Sequence, residues 1–211
     1  MKTRLVEAKV TFFNYKTEFE KHYYNCFHQG KHTNKAKKDI VGKSYEMLRE
    51  KCIKSYGCDI ATKKEREYFK KMLGGSYDAD QYIVQKHTRK LLALEEDKGH
   101  YVDKCFFKRA LANATETVAY CLKNNIEIPY FILSCPTNYK DYNAQLRFLL
   151  DDLSLFDKKV VEVCKQKLKF FHHCHHGRTS RTKYLTTDKN PFIIEDNLVD
   201  AEKRFFSMIK G

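Results

Sequence analysis

The strongest structural constraint in the sequence is a set of helix-start and helix-stop signals within residues 61–94. Thr62 and Glu65 have the spacing of a capping box, in which each side chain binds the other residue's free backbone N–H at the start of a helix. The pair Gly74-Gly75 is suited to end that helix, and Ser76 to cap a second one. We therefore expect two helices joined by a tight turn over this range.

Most of the remaining chain has apolar residues at helical spacing, for example over 101–123 and 197–209. Two segments differ. Residues 5–13 alternate between apolar and charged side chains, and residues 126–133 form a short apolar run. Both patterns indicate strands, and Pro129 favours an edge position for the second.

The length of 211 residues fits a single domain, 1–211. Its expected class is mainly α with a small β element, an α-dominant α+β fold whose strands lie near 5–13 and 126–133. Residues 177–195 have no periodic pattern, so we expect an irregular basic segment there.

The eight cysteines are scattered singly, and no run approaches the roughly 18 apolar residues typical of a membrane helix. The first residues contain no apolar stretch of the kind found in secretory signals. We therefore expect an intracellular protein in a reducing compartment, with free thiols that act as small buried apolar groups and no membrane partner.

Positive charge is the main compositional signal. The chain has 40 Lys and Arg against 27 Asp and Glu, a net charge of +13. Part of the excess lies in residues 1–60 and part in residues 171–189. Clustered positive charge attracts polyanions, and nucleic acid is the expected partner. A lysine-rich composition without a nucleic-acid partner is the alternative.

The residues expected to contact phosphate lie in three groups. Residues 28–38 carry four lysines and no acidic residue, follow several aromatic residues and are expected to form a loop that runs into a helix. The second helix of the hairpin and the irregular basic segment supply the others. The candidates are Lys31, Lys35, Lys37, Lys38, Lys43, Arg89, Lys90, Arg178, Arg181 and Lys183.

The hairpin in residues 61–94 also resembles a helix-turn-helix. In that motif the second helix enters the major groove, and Gln81, Gln85 and Arg89 are residue types that contact base edges. An ordinary helical hairpin is the commoner structure for such a pattern.

The run His172–His176, which includes Cys174, contains five consecutive residues that can bind a metal. Imidazole and thiolate are preferred zinc ligands, so Zn is a possible cofactor. The irregular spacing, however, is unlike that of common zinc sites. The candidate ligands are Cys26, His28, His32, His173 and His175.

Two further patterns in the sequence resemble those of nucleases. His173 and His175 resemble the histidine pair of HUH-type nicking enzymes, but the preceding segment has helical character where those enzymes have a strand. The run Glu7-Ala8-Lys9 has the Glu-x-Lys spacing of restriction-type nucleases. Such a site also needs an aspartate upstream on a neighbouring strand, and only six residues precede Glu7.

The sequence thus favours a non-enzymatic nucleic-acid-binding protein that docks on phosphate through a basic surface. A metal-dependent nuclease that uses the His172–His176 run is the first alternative. The second is a structural or interaction protein, such as a viral or mobile-element assembly factor or an inhibitor, that binds an acidic protein surface.

Overall fold

The structure is a computed structural model that describes residues 34–75, 77–97, 104–135, 157–172 and 196–211. Within these ranges the chain forms five strands and five helices. In chain order they are α1 (Asn34–Ser55), β1 (Cys58–Ile60), α2 (Lys63–Met72), β2 (Gln81–Gln85), β3 (Leu91–Asp97), α3 (Lys104–Asn124), β4 (Tyr130–Cys135), α4 (Lys158–Lys167), β5 (Leu168–His172) and α5 (Asp196–Lys210).

The strands form one mixed sheet in the order β1-β2-β3-β4-β5. β2 is antiparallel to both β1 and β3, whereas β3, β4 and β5 are parallel to one another. A parallel pair needs a crossover connection, and α3 lies in the one from β3 to β4. Asp97 pairs with Ser134, and Cys135 pairs with His172, so β3, β4 and β5 all end at one edge of the sheet. We call it the carboxyl edge.

The expected mainly α class, with two strands, is wrong, because the described residues form an α/β structure around a five-stranded mixed sheet. The second helix of the expected hairpin does not exist. Residues 81–97 form the antiparallel pair β2–β3 instead. Most residues of both strands are buried whichever face they occupy, so the apolar residues form a nearly continuous run. Such a run cannot be distinguished from a buried helix by its periodicity.

The second expected strand exists with different bounds. β4 begins at Tyr130, directly after Pro129, and lies between β3 and β5. The expected edge position is therefore wrong, because the proline precedes the strand and removes none of its hydrogen bonds. The helical character expected before the histidines is also wrong for β5. The strand expected at 5–13 lies outside the described residues.

The start and end of α2 are confirmed. The backbone N–H of Thr62 donates to Glu65 Oε2 at 2.7 Å, and the backbone N–H of Glu65 donates to Thr62 Oγ1 at 3.3 Å, which completes the capping box. Gly74 and Gly75 follow the helix with φ angles of +90° and +77°. Glycine adopts this left-handed region without strain, so the pair ends the helix.

Helices cover both faces of the sheet. On one face, residues of α2, α3 and α4 share a hydrophobic core with Tyr82, Leu94 and Phe131 of the strands. On the other face lie α1 and α5. Phe206 of α5 stacks on Tyr56 with ring centroids 5.3 Å apart, and Phe205 packs edge-on against Tyr130. α5 is therefore docked over the same face as α1.

Two simpler expectations concern cysteines and membrane helices. The four cysteines whose side chains are described, Cys52, Cys58, Cys121 and Cys164, are free and buried, as the sequence predicts. None of the helices in the described ranges combines the length and the apolar character that a membrane span requires.

Candidate acidic site at the carboxyl edge of the sheet

β3 ends with three consecutive acidic residues, Glu95, Glu96 and Asp97. Side chains alternate between the faces of a strand, so Glu95 and Asp97 share one face and Glu96 lies on the other. Glu95 bonds to Arg49 of α1, which identifies the shared face as the one that α1 covers. The carboxyl edge of β3 therefore places two carboxylates side by side under α1.

Asp97 is the least satisfied of these carboxylates. Its side chain is only 5% exposed, and neither oxygen has a hydrogen-bond donor among the described residues. Burial, followed by the negative charge of Glu95, raises the pKa of Asp97 well above its ordinary value. Two adjacent buried carboxylates are unfavourable in their ionised form unless a proton or a cation lies between them.

Asp80 joins the site from the neighbouring strand. The backbone N–H of Asp97 donates to Asp80 Oδ2 at 2.7 Å. Asp80 directly precedes β2, where Gln81 pairs with Glu95. The antiparallel register therefore brings a third carboxylate to the end of β3, and this carboxylate is partly buried.

Glu95 is held by Arg49, which is fully buried. Arg49 Nε donates to Glu95 Oε1 at 2.6 Å, and Arg49 Nη1 lies 3.2 Å from Glu202 Oε2 of α5. Burial alone would lower the pKa of Arg49, but Glu202 and Glu95 outweigh it and raise that pKa well above its ordinary value. The guanidinium of Arg49 is therefore positively charged. It connects α1 with β3 and with α5.

A hydroxyl pair borders the site on the β4 side. Ser134 pairs with Asp97 across β3 and β4, and its Oγ atom lies 2.7 Å from the hydroxyl oxygen of Tyr45 of α1. Both side chains are fully buried. This contact fixes α1 against the carboxyl edge next to Asp97.

The donor set consists of hard carboxylate oxygens, which suit Mg²⁺ or Mn²⁺ better than a soft metal. In the described part of the chain, no group of three or more His, Cys, Asp or Glu side chains is arranged to hold a metal ion by itself. Mg²⁺ does not need such a cage. It commonly binds one or two carboxylates and completes its six ligands with water and substrate phosphate.

The expected phosphate-binding residues occupy varied positions. Lys35, Lys37 and Lys38 belong to α1 from Asn34 onward, so this part of the expected loop is helical. Lys43 is exposed on the same helix. Lys31, Arg178, Arg181 and Lys183 lie outside the described residues.

Arg89 and Lys90 lie in the turn between β2 and β3, not on a helix. Arg89 bonds to Asp59 at 2.6 Å and to Glu65 at 2.8 Å, so its charge is largely neutralised within the fold. Lys90 forms an exposed ion pair with Glu127 at 2.7 Å. Because Arg89 is paired with two carboxylates, it is poorly suited to bind phosphate. Lys90 is exposed, so it can exchange Glu127 for a phosphate group.

The expected zinc ligands Cys26, His28, His32, His173 and His175 lie outside the described residues. Only the first residue of the His172–His176 run has a described backbone, because His172 ends β5 at the carboxyl edge. His172, the first residue of the run, therefore lies at the same edge of the sheet as Asp97.

Sequence reasoning missed the carboxylates at the end of β3. A signal was present, because three consecutive acidic residues, Glu95-Glu96-Asp97, follow an apolar run and Asp80 stands upstream. The predicted helix over residues 76–94 separates Asp80 from Asp97 by several turns and so conceals their proximity.

Comparisons with protein-family models, with curated protein sequences and with solved structures give no match to this chain.

Proposed function

We propose that the protein binds nucleic acid and hydrolyses its phosphodiester bonds with a divalent cation, Mg²⁺ or Mn²⁺, bound by Asp97 together with Glu95. The observation that carries the proposal is the Asp97 carboxylate. It is buried, faces a second carboxylate, and lacks a donor among the described residues. A cation between these oxygens would supply the missing positive charge.

The basic composition supports a polyanionic substrate. A cluster of carboxylates repels a phosphodiester unless a cation bridges the two, whereas a net charge of +13 attracts the phosphodiester to the protein. Several exposed lysines of α1 and α2 form no ion pair with a described residue and are available for phosphate contacts. They are Lys43, Lys63, Lys64 and Lys71.

The reaction requires only water and the cation. Asp97 and Glu95 would hold the cation, which would supply Lewis-acid chemistry that makes a water molecule a better nucleophile towards phosphorus. The water oxygen would bond to phosphorus and release its proton to solvent, while the bond from phosphorus to one sugar oxygen breaks and that oxygen takes a proton from solvent. One water is thus consumed for each diester converted to a monoester and an alcohol, and the cation would also neutralise charge on the phosphate in the transition state.

This proposal keeps the nucleic-acid partner that the sequence favours and replaces the non-enzymatic role with hydrolysis. It differs from the sequence-based nuclease alternative because it uses carboxylates at the end of β3, not the His172–His176 run.

The experiment is a cleavage assay on the full chain with labelled single-stranded and double-stranded oligonucleotides and with supercoiled plasmid. We expect cleavage with Mg²⁺ or Mn²⁺ and none with EDTA. Asp97→Asn should slow cleavage by roughly 10²–10³-fold, the loss typical when one charge-stabilising group is removed. The matched control is Asp78→Asn, which removes an equal charge from an exposed residue paired with Arg66 and Lys70.

Two results would overturn the proposal. One is an absence of cation-dependent cleavage on all three substrates. That result would favour the non-enzymatic nucleic-acid-binding function instead. The other is an Asp97→Asn variant that cleaves as fast as the Asp78→Asn control.

A further inference from the structure

Arg49 contacts two carboxylates that come from distant parts of the chain. Glu95 belongs to β3, and Glu202 belongs to α5, 153 residues after Arg49. All three side chains are at most 1% exposed. A buried arginine between two glutamates is costly to break, because the removal of one partner leaves an uncompensated charge in a low-dielectric environment.

The two glutamates meet different parts of the guanidinium. Glu95 accepts a hydrogen bond from Nε, and Glu202 accepts from Nη1 at 3.2 and 3.3 Å. Glu202 therefore does not compete with Glu95 for one position. It holds the outer part of the guanidinium while Nε orients the Glu95 carboxylate beside Asp97.

The electrostatic effect of Glu202 follows from this arrangement. Arg49 carries one positive charge, and two carboxylates share it. If Glu202 were neutral, the whole charge of Arg49 would act on Glu95 and on any cation bound beside it. Charges a few ångströms apart interact strongly at the reduced dielectric of a protein interior.

We infer that Glu202 is a positioning residue for the cation site: by sharing the charge of Arg49 with Glu95, it raises the cation affinity of the Glu95 and Asp97 pair. This inference rests on the proposed function, because it assumes that these carboxylates bind the cation. Glu202 itself contacts Arg49 and need not touch the cation or the substrate.

The docking of α5 has contacts of its own that do not involve charge at the site. Phe205 and Phe206 pack against Tyr130 and Tyr56, and the carbonyl oxygen of Lys210 accepts a hydrogen bond of 2.8 Å from Gln85 Nε2. Weakening these contacts lowers the stability of the fold but leaves the charge of Glu202 in place. This separation allows a control for mere destabilisation.

The test measures Mn²⁺ affinity by titration calorimetry on the full chain without nucleic acid. Glu202→Gln is expected to weaken Mn²⁺ binding about 10–100-fold, the range typical for partners that orient metal ligands. Phe205→Leu, which destabilises α5 without a charge change, should bind Mn²⁺ as the wild type does. Arg204→Gln, an exposed charge change on the same helix, should also leave binding unchanged.

Cleavage kinetics provide a second readout. Glu202→Gln should recover most of its cleavage rate at saturating Mn²⁺, because a positioning residue changes cation occupancy more than the chemical step. Glu202→Asp, which keeps the charge, should restore part of the affinity at low Mn²⁺.

The outcomes separate the two proposals. A wild-type chain that binds no Mn²⁺ would overturn the proposed function and, with it, this inference. A wild-type chain that binds Mn²⁺ with the same affinity as Glu202→Gln would overturn the inference alone. Equal losses in Glu202→Gln and Phe205→Leu would also overturn it, because the effect would then be one of stability.

Discussion

The backbone N–H of Asp97 donates a hydrogen bond to the Oδ2 atom of Asp80, 17 residues earlier in the chain. The bond joins the end of β3 to the residue that precedes β2. The side-chain carboxylate of Asp97, by contrast, has no hydrogen-bond donor among the described residues. Asp80 thereby fixes the backbone of Asp97 while the buried charge beside it stays unsatisfied.

Asp97→Asn is expected to stabilise the fold although it slows the proposed cleavage. The substitution keeps the shape of the side chain, removes a buried carboxylate from beside Glu95 and supplies an amide donor. We expect the free energy of unfolding to rise by about 1–3 kcal/mol, the cost of a buried polar group without a partner. Urea unfolding in EDTA measures the change, and a loss of stability would show that Asp97 is better satisfied than its contacts indicate.

Divalent cations are expected to raise the melting temperature of the wild-type chain. A ligand that binds only the folded state stabilises it by about 2.7 kcal/mol at 100 times its Kd. Differential scanning fluorimetry across a Mg²⁺ or Mn²⁺ series measures the shift. Asp78→Asn should retain the shift and Asp97→Asn should lose it; a shift of equal size in both variants would place the cation elsewhere.

The contacts of Arg89 predict a loss of stability in acid. Hydrogen bonds from Arg89 and Thr62 lower the pKa of Glu65 to about 2, and the pKa of Asp59 is also lowered. A carboxylate with a depressed folded-state pKa stabilises the fold above its unfolded pKa, and this contribution disappears as the pH falls from about 4.5 towards 2. Arg89→Met should remove much of this pH dependence.

Urea unfolding at pH 7, 4 and 3 checks the Arg89 prediction. The expected effect at pH 7 is modest, about 1 kcal/mol for each partly exposed pair. If the wild type and Arg89→Met lose stability in parallel between pH 4 and pH 3, the Arg89 contacts contribute nothing in solution.

The two glycines after α2 predict different costs for the same substitution. An alanine Cβ at Gly74 would lie 2.8 Å from Tyr120 Cγ, whereas one at Gly75 would meet nothing within 4 Å. Both positions have positive φ, so each alanine costs backbone strain of about 1 kcal/mol or more. Gly74→Ala should therefore destabilise the fold more than Gly75→Ala does.

Tyr120→Ala tests the source of that difference. In the Tyr120→Ala background the two glycine substitutions should have similar costs, measured as free energies of unfolding. A difference that persists there would assign the cost of Gly74→Ala to its backbone, not to the contact with the ring.

Nucleic-acid affinity is expected to fall steeply as salt rises, because phosphate contacts release counterions. Charge reversal at Lys37 and Lys38 should weaken binding and reduce the salt slope by about 0.9 for each lost phosphate contact. The matched control reverses the exposed pair Lys158 and Lys159 of α4, on the other face of the sheet. Fluorescence anisotropy at several salt concentrations measures the affinity of each variant for nucleic acid. Equal losses of affinity in both variants would argue against a role for α1.

Local signals predicted local structure well. The start of α2 at Thr62 and its end at Gly74 follow from side-chain capping and from the conformational freedom of glycine, and neither depends on the rest of the chain. The strands β2 and β3 could not be predicted in this way. Their residues are buried on both faces, so the alternation that identifies a half-buried strand is absent.

The candidate site depended on the strands. Glu95 and Asp97 share a face only if residues 91–97 are extended, and Asp80 reaches them only through the pairing of Gln81 with Glu95. Under a helical interpretation the same residues lie at the end of a solvated helix, where carboxylates have no special role. The error in fold class therefore hid the site.

The contact between α1 and α5 has a consequence for synthesis. The ribosome releases Arg49 and the whole of β3 long before it reaches Glu202, so the part of the sheet face that α5 covers stays exposed beside α1 until α5 is made. Until then Tyr56 and Tyr130 lack their phenylalanine partners. If translation stalled or stopped before residue 196, the chain would form an aggregation-prone intermediate with these apolar side chains exposed. Chaperones act on species of this kind.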